Sequence, residues 1–121
     1  MKILGKYVFA LFFVIAGINH FINPDFYIPL IPPIFPYPQA INLISGLVEI
    51  ALGFGLVFPK IQKYAAYGII LIMVAFIPAH VYFVQIGSCI EGSLCVAPWI
   101  GWLRLFLIHP LLIGLGYYFR K

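Results

Sequence analysis

Ser45-Gly-Leu-Val-Glu-Ile-Ala-Leu-Gly-Phe-Gly-Leu-Val-Phe58 lies inside residues 39–58, a run long and apolar enough to cross a bilayer as one helix. Glu49 stands in its middle, one of only three acids in 121 residues. A charge at that depth costs ~3 kcal/mol even on lenient insertion scales, so a partner in another helix is expected. The polar and small residues Asn42, Ser45, Gly46, Glu49 and Gly53 fall at i, i+3, i+4, i+7 and i+11. That stripe is the face of a helix packed against other helices, and it turns Glu49 into a bundle.

Working outward, three more segments have the same character: roughly 4–22, 63–86 and 99–119. Between the first two spans, residues 23–38 contain six prolines, which forbid a continuous helix. Pro59 closes the second span, and Gly87 to Pro98 (GSCIEGSLCVAP) separates the third from the fourth. The chain is 64% hydrophobic and 8% charged, too little polar surface for a water-soluble domain. The expected fold is all-α: one integral membrane domain over residues 1–121, an antiparallel bundle of four transmembrane helices with the Pro-rich segment capping its outer mouth.

The formal charge of +4 does not point to nucleic acid, because no basic stripe or cluster exists. Lys2, Lys6, Lys60, Lys63, Arg120 and Lys121 all fall on or beside one side of a four-span chain. The opposite loops hold only Asp25 and Glu91, so both termini are expected in the cytoplasm. Met1 to Ala16 also has the pattern of a cleavable signal peptide, but cleavage would leave Lys60 and Lys63 on the wrong side of a three-span protein. Residues 49–60 align with 110–121 through Gly53/Gly114, Gly55/Gly116, Phe58/Phe119 and Lys60/Lys121. The match reads equally as two related hairpins or as ordinary recurrence in membrane helices.

Depth selects a partner for Glu49. Arg104 lies about five residues from the outer end and Glu49 about ten, a height difference of ~7–8 Å that two long side chains can bridge. A Glu49–Arg104 ion pair is therefore expected, with His20 and His80 as neighbours; an isolated Arg104 would snorkel outward. The pair serves either as a register lock or as part of a site. His109, beside Pro110, is expected to serve a buried backbone carbonyl. Pro78 should kink the third span just ahead of His80 and open a small cavity.

Cys89 and Cys95, the only cysteines, share an outer loop, and a disulfide is the default reading in an oxidising exterior. A redox-active pair or a metal site with a histidine are the alternatives; the spacing demands no metal. No nucleophile elbow, phosphate loop, HExxH or paired carboxylate occurs, so no self-contained active site is legible.

Gly17-Ile-Asn-His-Phe-Ile-Asn-Pro24, Phe26-Tyr-Ile-Pro-Leu-Ile-Pro-Pro33 and Ser45-Gly-Leu-Val-Glu-Ile-Ala-Leu-Gly53, with Pro78-Ala-His-Val-Tyr82 and Trp102-Leu-Arg104, resemble the DoxX/DoxD-like family of small prokaryotic membrane proteins. His80 departs from the Asn expected there. The resemblance implies a four-helix bundle in the prokaryotic plasma membrane, with His20, Glu49 and Arg104 as marked positions and redox or stress complexes as the setting. The leading expectation is thus a membrane subunit of a redox system, with an outer pocket of His20, Glu49, His80 and Arg104 for a quinone or similar lipid-like ligand. It would hold no intrinsic cofactor, and electrons would come from a partner protein. The alternatives are a non-enzymatic lipid- or partner-binding assembly protein, or proton-coupled solute permeation, which would require a homo-oligomer.

Overall fold

The computed structural model describes residues 1–121. It contains α1 (Lys2–Ile22), α2 (Pro24–Tyr27), a 3-10 turn (Ile28–Leu30), α3 (Pro38–Leu56), α4 (Gln62–Ala75), α5 (Ile77–Gln85), α6 (Pro98–Leu103), a π turn (Arg104–Ile108) and α7 (His109–Tyr118). Four continuous stretches, Lys2–Ile22, Pro38–Leu56, Gln62–Gln85 and Pro98–Tyr118, are long and apolar enough to cross a membrane. Each lies within two residues of the span expected from the sequence. Their outward faces carry Ile3, Val8, Leu11, Leu43, Leu47, Leu71, Phe106 and Leu111, all exposed. Lipid is the solvent that such a surface requires.

Two of the spans are interrupted where proline dictates. Pro78 has no N–H for the preceding turn, and the helix breaks at Phe76, between α4 and α5. The N–H of Phe76 is shared between the carbonyls of Ile72 (3.0 Å) and Met73 (3.2 Å). Pro110 likewise removes a donor, and the turn before it widens into the π segment that begins at Arg104.

Adjacent spans run antiparallel. The closest approach is between α1 and α3, where a Cβ on Gly17 would stand 2.6 Å from the Gly46 carbonyl oxygen and one on Gly46 would stand 2.9 Å from that of Gly17. Only glycine at both positions lets the two backbones touch. The two stretches aligned as a repeat pack unequally: Gly53 is pressed against the Ala10 carbonyl and Val14, while Gly114 has open space.

The bundle divides into two halves. At the end holding both termini, Phe9, Phe13, Leu56, Ala65, Ala66, Ile69 and Phe119 belong to one apolar core. Gln62 ties that end together, accepting from Lys6 Nζ (3.2 Å) and donating to the Phe119 carbonyl (2.8 Å). The termini and the α3–α4 turn therefore share one end, as the charge pattern required. At the opposite end the core gives way to a cavity under residues 23–38. The six prolines exclude a long helix there, but they allow the single turn of α2, with Pro24 at its start, and the 3-10 turn after it.

Candidate functional site

The cavity has a volume of about 490 Å³, and His20, Glu49, His80 and Arg104 all line it. Four residues singled out on four different spans thus converge on one space. Tyr27, Leu30, Ile31, Pro32 and Phe35 of the Pro-rich segment form its roof. The inward stripe of α3 is confirmed as well: Asn42, Gly46, Glu49 and Gly53 are buried, and Ser45 faces the cavity.

The Gly17–Gly46 contact positions the polar cluster. His20, one turn beyond Gly17, lies level with the gap between Asn42 and Glu49 on the neighbouring helix. Its Nδ1 is 2.7 Å from Asn42 Oδ1, and its Nε2 is 3.1 Å from Glu49 Oε2. Asn42 Nδ2 donates to the His20 carbonyl at 2.9 Å, which fixes the amide with its oxygen toward the ring. His20 Nδ1 must therefore carry a hydrogen and donate. Nε2 and the Glu49 carboxyl group stand within ion-pair distance across the α1–α3 contact. The contact is bent, so Oε2 has no well-aligned donor and the carboxyl group stays oriented toward the cavity.

Tyr27 covers this pair from the roof, its ring stacked on His20 with centroids 3.9 Å apart. Its hydroxyl accepts from Asn19 Nδ2 at 2.6 Å, so α1 holds the roof in place. Tyr27 lines the cavity and Asn19 holds it there, and neither was singled out from the sequence as a site residue.

The expected Glu49–Arg104 pair does not form: the one side-chain ion pair in the chain is His20–Glu49. Height along the bundle says nothing about lateral position. α3 packs on α1 and α4, whereas the π turn bearing Arg104 packs on α5, α6 and α7. The two groups face one cavity from different walls. Arg104 does not snorkel into the open either; its guanidinium lies 5.1 Å from the Phe83 ring centre, and Nη1 is buried without a hydrogen-bond partner. The signal for the correct pair was in the sequence as Gly17-x-x-His20 opposite Gly46-x-x-Glu49, two small residues each three before a polar one.

The histidines divide by role. His109 is buried, and its Nε2 donates to the Met73 carbonyl, one of those disturbed by the break at Phe76. This is the carbonyl-serving part expected of it, across the bundle. The His80 ring lies 4.5 Å from that of His109 and borders the cavity. No cluster of three or more metal-ligating side chains exists.

Cys89 and Cys95 form a disulfide, with Cα atoms 3.8 Å apart. The bridged hairpin is joined to the roof through Ser93 Oγ, which donates to the Phe26 carbonyl. Cross-linking a loop with a sequence separation of 6 stabilises by ~2 kcal/mol on loop-entropy grounds. A thermal melt of the purified protein is therefore expected to shift down on adding reductant. The Cys89→Ser/Cys95→Ser variant should melt at the reduced value and not respond to reductant.

The chain matches the family described as "Domain of unknown function (DUF8561)" over residues 9–116, and it belongs to that family. No curated protein and no solved structure matches it significantly.

Proposed function

We propose that this family member is a membrane-embedded binding subunit whose roofed cavity takes a small lipid-like ligand with an oxygen-bearing polar head. The observation that carries this reading is the convergence of His20, Glu49, His80 and Arg104 on one cavity whose remaining lining is mostly apolar. A volume of about 490 Å³ lies in the range of small-molecule sites, and a mostly apolar wall with few convergent polar groups is their usual make-up. In a bilayer such a ligand arrives by lateral diffusion. The orientation proposed puts both termini in the cytoplasm and the cavity in the outer half of the membrane.

The likeness of the Gly17–Pro24 and Ser45–Gly53 stretches to DoxX-like proteins supports a redox or stress-related setting. A quinone is the neutral form of such a ligand, and a lipid acid the charged form. With a quinone, Arg104 or a histidine would donate to the ring carbonyl and Glu49 would relay protons to the reduced oxygen. The electrons would come from a partner protein.

Purified protein in neutral detergent is expected to bind decylubiquinone, palmitate or both saturably. Ala79→Trp, which projects an indole from the cavity wall, should remove that binding while the protein stays folded. Absence of binding of either probe to wild type would overturn the reading. A second reading, a purely structural polar lock, is favoured by the burial of Glu49 (4% exposed) and Asn42 (2%). It predicts the same stability losses but no ligand.

A further inference from the structure

The charged groups around the cavity do not all find partners. Glu49 is its only acidic lining residue, and the ion pair it makes is with His20, 3.1 Å away. The other two acids of the chain, Asp25 and Glu91, are exposed in the roof and the outer loop. Arg104 therefore has no protein counter-ion, yet its Nη1 is buried without a partner and its guanidinium borders an apolar chamber. An unpaired charge is costly in such a place, and an incoming anion would remove that cost.

We propose that the cavity binds a single-chain amphiphile with a monoanionic carboxylate head, whose oxygen pairs with Arg104 and whose chain lies along the apolar wall. This rests on the ligand-binding reading above and fixes the head group. A single guanidinium that makes no ion pair within the protein matches a single carboxylate, and 14 of the 23 lining residues are hydrophobic. A neutral head would leave Arg104 as exposed to the low-dielectric surroundings as before. The roof supplies closure, since Tyr27, Ile31 and Phe35 cover the chamber.

The test measures competition against radiolabelled palmitate with full-length protein in neutral detergent, using methyl palmitate, phosphatidylglycerol and decylubiquinone. Palmitate is expected to bind roughly 30-fold or more tighter than its methyl ester, the scale of losing one partner of a buried charge pair. Arg104→Gln should erase that preference by weakening the acid and not the ester, and Arg104→Lys should restore part of it. Equal affinity of acid and ester in wild type, or a preference that survives Arg104→Gln, would overturn the proposal. Should Arg104→Gln fail to fold, the wild-type comparison decides alone. Phosphatidylglycerol displacing palmitate at lower concentration would overturn the single-chain carboxylate. Acid and ester binding equally, with Ala79→Trp losing both, would overturn the anionic head and leave the cavity reading intact; no binding by any probe overturns both.

Discussion

Gly46→Leu is expected to abolish the folded protein, while Gly114→Leu leaves it intact. At Gly46 even a Cβ would stand 2.9 Å from the Gly17 carbonyl oxygen and 2.9 Å from His20 Cβ. The first neighbour is backbone and cannot turn aside, so α1 and α3 must separate. Overpacking a well-filled core costs about 1–3 kcal/mol where side chains can adjust, and a rigid backbone contact lies at or beyond the upper end. Separation would also pull His20 away from Asn42 and Glu49, leaving buried polar groups unmatched. Gly114 has nothing within 4 Å of its would-be Cβ and faces outward, where leucine suits lipid. The check is the yield of monodisperse protein from membranes and its melting temperature. Gly46→Leu protein recovered with wild-type stability would show that this helix contact does not hold the bundle.

The four spans were legible because each is a long apolar run bounded by proline or charge, and hydropathy alone decides that. The inward face of α3 was legible because Asn42, Ser45, Gly46, Glu49 and Gly53 recur at helical spacing. Four of the cavity's polar lining residues, His20, Glu49, His80 and Arg104, were legible as well, since polar residues in apolar spans have few places to point. Which of them touch was not. Sequence gives depth along the membrane normal, and by depth Arg104 suits Glu49; it does not say which helices are neighbours in the plane. The roof was legible only as proline's veto on a long helix. That Tyr27 would stack on His20 depends on the single turn of α2 and on Asn19, a contact with no periodic pattern behind it. Arg104 illustrates a further limit, because the π turn that holds it inward arises from Pro110, six residues later in the chain.

The second large effect is expected at the His20–Glu49 pair, and it separates the pairing observed from the one that depth suggests. Glu49→Leu leaves His20 Nε2 facing an apolar group while Nδ1 remains held by Asn42; His20→Leu leaves a buried carboxyl group and an unmatched Asn42 oxygen. Each single change should cost roughly 2 kcal/mol or more of unfolding free energy, because one member of a buried pair is stranded. The double variant His20→Leu/Glu49→Leu strands only Asn42. Its loss should fall short of the sum of the singles by about 1–3 kcal/mol, the coupling of residues in direct contact. Glu49→Leu combined with Arg104→Gln should be additive to within about 0.5 kcal/mol, since the two side chains make no ion pair. Denaturation by a strong detergent in mixed micelles reads all six proteins on one scale. Coupling between Glu49 and Arg104, with additivity between Glu49 and His20, would overturn the dyad. Arg104 would then have its counter-ion within the protein, and the unpaired guanidinium that draws an anionic ligand would vanish with it.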